Sequence, residues 1–249
     1  VKKSKARRSK KSAASRVRPF WIPILLLLAV AGTAGYYGAG WKGFEVKRIT
    51  VEGDHVVQGR QILARAAINP HVNVWLQNMR AAASRVRSIP YIDEARIHRG
   101  LPASVAIVVT ERIPYAVVQS GAQSKLLIDS QLRVLELDAR RPDLPRLDCA
   151  ILPEPHAGEF LKDECVRSLL RDYETLAKQH VESRSLTRDR LGDVTAQIAP
   201  GITVKLGDDS DLGTKGALID PILSQTQGQG KRVRALDLRA PKTPVVVFQ

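Results

Sequence analysis

From Ala103 to Glu111 the chain alternates strictly, with Ala103, Val105, Ile107 and Val109 on one face of an extended run. Glu111-Arg112-Ile113-Pro114 breaks that run, and a second apolar stretch opens at Tyr115. Upstream, Phe44 to Gly53 reads as a strand with Val46, Ile49 and Val51 apolar, closed by a Gly53-Asp54 turn. Gln58 to Ala67 places Ile62, Leu63, Ala66 and Ala67 at helical spacing, and Asn69-Pro70 stops it. Trp75, Met79, Ala82, Val86 and Ile89 form the apolar stripe of a longer helix ended by Pro90, with Arg80, Arg85 and Arg87 on its solvated face. Tyr91 to His98 is again extended. Strand, helix, helix, strand, strand is the order, and one small sheet covered on one face by two helices would bury every stripe.

Beyond Pro114 the segments shorten. Tyr115–Gln119, Lys125–Ile128 and Leu132–Leu137 read as strands separated by turns. A stretch containing Pro142, Pro145, Pro153 and Pro155 follows. Leu161 to His180 carries an apolar helical face of Val166, Leu169, Leu170, Tyr173, Leu176 and Ala177. Two strands come next, at Asp193–Ile198 and Ile202–Leu206. A helical segment from Leu212 to Gln227 contains Asp220-Pro221, and 232–239 and 244–248 are extended.

The N-terminus changes the picture. Pro19 to Trp41 holds no charged residue. As a helix it spans roughly 35 Å, enough for a hydrocarbon core of about 30 Å. Trp21 lies near one end, and Tyr36, Tyr37 and Trp41 near the other, as in an aromatic belt. A cleavable signal peptide is the rival reading, because Ala29, Ala31 and Ala34 resemble a processing site; the apolar run continues past them, which favours an uncleaved anchor. Residues 1–18 contain nine Lys or Arg and no acid, and the rest of the chain holds 30 basic against 25 acidic residues. The net charge of +14 is thus largely a property of the tail. Only Lys42, Lys47 and Arg48 follow the apolar segment closely, so the positive-inside rule puts the tail in the cytoplasm and the remainder outside. Against anionic lipid the tail has an ordinary role, and nucleic acid is not an expected partner.

Cys149 and Cys165 both fall in the exported part, where a disulfide and two buried free thiols are the alternatives. No histidine pair has zinc-ligand spacing, and no nucleophile elbow or phosphate loop is present. Asp208, Asp209 and Asp211 read as a solvated turn rather than a calcium loop. No catalytic, metal or cofactor-binding residue is assigned, and no cofactor or small-molecule substrate is expected.

The segment SIPYIDEARIHRGLPASVAIVVTERIPYAVV, residues 88–118, resembles the FtsQ/DivIB family of bitopic cell-division proteins through Pro90, Ile92, Ala95, Arg99, Pro102, Glu111, Arg112, Pro114 and Ala116. ITVEGDHVV, LIDSQLRVLELDARRPDLPRL, KLGDDSDLGTKGALIDPIL and ALDLRAPKTPVVVF extend the likeness over almost all of the chain. The resemblance implies an α+β chain. It would have a cytoplasmic tail (1–18), a transmembrane helix (19–41), a POTRA domain of β-α-α-β-β order (44–113) and a mixed β domain with flanking helices (114–249). Glu111, Arg112 and Pro114 would then form the domain junction, with a fixed polar contact across it. The implied function is a non-enzymatic scaffold at the septum of the bacterial inner membrane. It would bind an FtsB–FtsL-type pair through the β domain and link early and late division proteins to septal peptidoglycan synthesis. Pro244, Val245, Val246, Val247 and Phe248 are the candidate partner-binding edge strand. Ala240 departs from the pattern, since an aromatic is common there in the family.

Three rivals remain. A POTRA-bearing export or outer-membrane assembly factor would need a membrane barrel of at least eight strands, for which the residues after Pro114 are too few and too helical. An anchored cell-wall enzyme needs a catalytic constellation that the sequence does not display. A DNA-binding tail would leave the long exported region unexplained.

Overall fold

The computed structural model describes residues 21–39, 42–120, 124–149, 155–199 and 201–249. The basic tail, Pro19, Phe20, Trp41 and Pro153 lie outside the described residues. Contacts divide the chain into two compact units, one of residues 1–48, 69–77 and 99–104, the other of 49–68, 78–98 and 105–249.

In the first unit, α1 (Trp21–Ala39) is a 19-residue helix without a charge. Its Trp21–Gly38 window has a mean hydropathy of 1.5 and is long and apolar enough to cross a membrane. The expected strand from Phe44 starts later than its pattern suggests. Lys42–Phe44 is a 3-10 turn. Val46 and Lys47 donate to Pro70 O and Ala103 O instead of to a strand neighbour. The loop 69–77 also belongs here, and Trp75 lies in it rather than in a helix.

The second unit contains the larger sheet and all of the smaller one but the strand-end residues Arg48, Arg99, Gly100 and Ser104. β1 (Arg48–Glu52), β2 (Ile92–Gly100) and β3 (Ser104–Glu111) pair in the order β1-β3-β2, joined in sequence by α2 (Gly59–Ala66) and α3 (Met79–Arg87). The α+β order expected from the sequence is the one observed. Ala103, Val105, Ile107 and Val109 are all buried, as their alternation requires. Ile62 and Val86 from the helices and Ile92 and Ile107 from the strands are completely buried, each worth about 1.5–3 kcal/mol. The stripe that suggested a helix from Trp75 misled at its first residue. The Asn78 side chain accepts a hydrogen bond from Ala81 N–H at 3.0 Å and starts α3 at Met79. Arg85 is not simply solvated, because its guanidinium donates to Ala66 O at the end of α2. Gly53 has φ +87, and a Cβ there would lie 2.1 Å from Val109 O, so no other residue fits this close approach.

The larger sheet has nine strands in the order β12-β11-β10-β9-β8-β7-β4-β5-β6. They are β4 (Ala116–Ser120), β5 (Ser124–Ile128), β6 (Val134–Leu137), β7 (Arg146–Cys149), β8 (Ser185–Arg188), β9 (Val194–Ala199), β10 (Ile202–Gly207), β11 (Val233–Asp237) and β12 (Val245–Phe248). The pairs β4–β7, β7–β8 and β10–β11 are parallel. One row across the sheet reads Val118, Leu147, Leu186, Ala196, Val204, Leu236 and Val246. It faces the main core, to which α4 (Glu164–Lys178), α5 (Leu212–Ala217) and α6 (Ile219–Gly228) contribute Val166, Leu169, Leu176, Leu212 and Ile219. The expected single helix over 212–227 is therefore two. On the opposite face Val117, Leu127, Leu135 and Ala139 form a small cluster. Arg146, Thr187, Gln197 and Lys205 on that face are exposed. Cys149, at the end of β7, is disulfide-bonded to Cys165 in the first turn of α4.

A candidate partner-binding edge

A sheet of nine strands has two edges, and this one treats them differently. The β6 edge is covered by residues 158–161: Val134 N–H donates to Glu159 O at 2.8 Å, Gly158 N–H to Val134 O at 2.7 Å, and Leu161 N–H to Leu132 O at 2.8 Å. At the other end, β12 pairs among the described residues with β11 alone. Its register sets Val245 opposite Asp237, Val246 opposite Leu236 and Val247 opposite Ala235. The outer side of such a strand presents unpaired backbone donors and acceptors.

Residue type explains the position. Three β-branched residues in succession favour extended backbone, and Pro244, lacking an N–H, stands just before the strand rather than in it. Val246 turns toward the core cluster, whereas Val245 and Val247 are 57% and 46% exposed on the uncovered face. The turn before β12 is held by Thr243 N–H donating to Ala240 O at 3.0 Å, and Ala240 is exposed. Gly207, at φ +71, admits the chain as it leaves β11; a Cβ would lie 3.0 Å from Arg239 Cγ.

The edge is cationic. From Lys231 to Gln249 the basic residues are Lys231, Arg232, Arg234, Arg239 and Lys242, against the single acid Asp237. Arg239 spends its charge on Asp237 through a 2.6 Å hydrogen bond. That bond holds the Asp237 carboxyl below the ordinary carboxylate value, against the opposing effect of partial burial. Lys231 Nζ stands 5.1 Å from the centroid of the Phe248 ring. Arg232 and Arg234 are exposed. A cavity of about 330 Å³ opens beside β11, lined by Ile202, Leu223, Gln227, Lys231 and Gln249 among others.

The other residues singled out from sequence lie elsewhere. Glu111 accepts from Val56 N–H and Val57 N–H, both at 2.8 Å. Arg112 pairs with Asp129 and Asp93. Pro114 sits in the short segment between β3 and β4. Sequence reasoning did not find Asp93, or Phe160 whose ring the Arg112 guanidinium overlies, as partners of Arg112, since nothing local relates positions so far apart. Among the described residues, one trio has ligand atoms close enough to hold a metal: Cys149, Asp163 and Cys165. Two of its three donors are disulfide sulfurs, which offer no thiolate.

Residues 44–112 match the family profile described as POTRA domain, FtsQ-type, and residues 116–239 match that of cell division protein FtsQ/DivIB, C-terminal. The chain is 25% identical over 222 residues to the cell division protein FtsQ of Streptomyces venezuelae, covering 88% of this chain and 80% of that one. It is 26% identical to the FtsQ of Streptomyces coelicolor, covering 89% of each. With the FtsQ of Neisseria gonorrhoeae it shares 25% identity over 77% of this chain and 75% of the other. The β-α-α-β-β order and the mixed sheet after it thus have a common explanation: the chain belongs to the FtsQ/DivIB family of cell-division proteins.

Proposed function

We propose that this chain is a non-enzymatic scaffold of the division septum. It is anchored by α1 with its N-terminus in the cytoplasm, and it holds an FtsB–FtsL-type pair by adding a partner strand to β12. The observation that carries this reading is the asymmetry of the nine-stranded sheet, covered at β6 and, among the described residues, left unpaired on the outer side of β12. Backbone pairing along an open edge supplies affinity, and pockets and charges beside it supply specificity. With Arg232 and Arg234 exposed next to β12, a partner segment alternating apolar and acidic residues fits best. In this arrangement Glu111, Arg112 and Pro114 form the junction between a POTRA domain over 44–113 and a β domain over 114–249.

The test uses the full chain in lipid nanodiscs and the extracytoplasmic FtsB–FtsL coiled coil of the same organism, with binding read by calorimetry. Val245→Glu with Val247→Glu leaves the core-facing Val246 in place and puts two acids on the partner's path. The expected outcome is at least about a tenfold loss of affinity, or about 1.4 kcal/mol. Unchanged affinity moves the site off β12. No binding by the unaltered chain overturns the proposed partnership.

A further inference from the structure

The first compact unit contains a loop braced by its own polar side chains that leaves three of its large apolar ones exposed. In 69–77 the polar side chains serve the loop's own backbone. Gln77 Nε2 donates to Asn69 O at 2.8 Å and Val72 O at 2.9 Å, and its Oε1 accepts from Asn69 N–H at 2.9 Å. Asn73 Oδ1 accepts from Trp75 N–H at 2.9 Å. Arg99 donates to Val74 O at 2.9 Å and Gln77 O at 2.6 Å, and its guanidinium stands 5.8 Å over the Trp75 ring. Val74 points inward and is completely buried, but the loop's other large apolar side chains are exposed. Val72 is 37% exposed, Trp75 48% and Leu76 65%; Leu101, on the other segment of the same unit, is 80% exposed. Single exposed apolar residues are ordinary, but several on a braced loop call for a partner.

The position of the loop says which. Asn73 Nδ2 donates to Gly38 O at 3.4 Å, at the C-terminal end of α1. Glu45 bridges to Asn73, and Val74 N–H donates to Phe44 O at 2.9 Å, so the loop is fixed to the chain leaving the helix. The 19 residues of α1 cover about 28 Å, close to the roughly 30 Å of the hydrocarbon core. Gly38 then lies at the boundary of that core, and the headgroup layer beyond it is about 5–8 Å deep. Trp75 is two residues from Asn73, at most about 7 Å of chain. That keeps it in the layer where Trp and Tyr collect, at the depth of the end of α1 that carries the exposed Tyr36 and Tyr37.

We propose that Val72, Trp75, Leu76 and Leu101 form a second membrane anchor, seated in the headgroup layer of the bilayer that α1 spans. The occupant is lipid and not another protein, because the hydrogen bond to Gly38 fixes the loop at the membrane surface. The inference needs α1 to be inserted but does not depend on what β12 binds.

The test reads tryptophan depth in the full chain, reconstituted in phosphatidylcholine vesicles with and without lipids brominated high on the acyl chain. Trp21→Phe with Trp41→Phe leaves Trp75 as the reporter, and Trp41→Phe with Trp75→Phe leaves Trp21. The expected result is that brominated lipid lowers Trp75 emission about twofold or more, as for an interfacial ring. Adding Leu76→Asp and Leu101→Asp to the Trp75 reporter should remove most of that quenching with the thermal unfolding curve unchanged. Trp21 quenched while Trp75 stays bright and open to aqueous acrylamide overturns the proposal and points to a protein partner for the loop. Neither residue quenched means that α1 is not inserted, and the proposal falls with it. Quenching that survives both Asp substitutions overturns the assignment of those side chains.

Discussion

The guanidinium carbon of Arg112 lies 5.6 Å from the ring centroid of Phe160, and that of Arg133 approaches the same ring at 5.3 Å. Two cations share one aromatic ring, which is tolerable only with a counter-charge close by. Asp129 provides it. Its carboxylate pairs with Arg112 and accepts from Gln131 N–H at 2.9 Å and Arg133 N–H at 2.8 Å. The side chains of Arg112 and Asp129 are 8% and 5% exposed. Burial, reinforced by the Arg112 charge, lowers the Arg133 pKa.

Asp129→Ala should therefore be costly. Among the described residues it leaves Arg112 only Asp93 as a charge partner, and it strands two backbone donors. Removing one member of a buried pair costs about 3–5 kcal/mol, and the remaining Asp93 contact places this substitution near the lower figure. Arg112→Lys, which keeps the charge and loses the planar fork, should cost less. Urea unfolding of the full chain in detergent measures both. A loss under about 0.5 kcal/mol for Asp129→Ala, the range of ordinary surface substitutions, would show that the cluster is not a structural clamp.

Reduction of the Cys149–Cys165 disulfide, which closes a 16-residue separation, should cost about 3 kcal/mol. At about 2–4 °C per kcal/mol, Tm should fall by roughly 6–12 °C. The loop it closes includes Gly158–Leu161, which covers the β6 edge. Hydrogen exchange at the Val134 amide should accordingly accelerate in the reduced protein. Equal exchange in both redox states would separate the disulfide from the covering of that edge.

Lys215 is buried at 2% exposure, and its ammonium donates to Asp208 O and Oδ1, both at 2.9 Å. The Lys215 hydrogen bond, then that of Ser210, holds the Asp208 carboxyl below its ordinary 3.8. A depressed folded-state pKa means that the unfolded chain takes up the proton first on acidification. Asp208 thus contributes its stability fully above the unfolded value and loses it as pH falls through the lower folded value. The Tm difference between the native chain and Asp208→Asn should be constant near neutral pH and should close below pH 3.8. A difference that instead widens on acidification would reverse the sign of this coupling.

What was legible in the sequence was what repeats locally. The alternation of Val105, Ile107 and Val109 and the helical face of Val166, Leu169 and Leu176 each predict their element, because burial on one face imposes a period. β7 and β8 were not legible. Each has four residues, too few for a period, and both pair in parallel with strands distant in sequence. Trp75 fitted a helical spacing by coincidence, and the better signal was Asn78, whose side chain caps the helix three residues later. Asp208 and Asp209 read as a solvated turn because Lys215 and Arg188, their partners, are selected only by the fold. The β12 strand itself was readable from Val245, Val246 and Val247, whereas its place at an edge of the sheet was expected only from the family resemblance and not from any local pattern, since strand order is a property of the whole assembly.

The row from Val118 through Leu147, Leu186, Ala196, Val204 and Leu236 does not stop at a wall; it runs out at Val246, half covered. Any strand laid against β12 therefore inherits a reading frame. The residue it sets beside Val246 must continue the oil-like side of the sheet, and its two neighbours must face water alongside Val245 and Val247. A slip of one position exchanges the two sides along the whole added strand. The unfinished row thus acts as a proofreader, accepting an incoming segment in one phase and rejecting the same segment in the other.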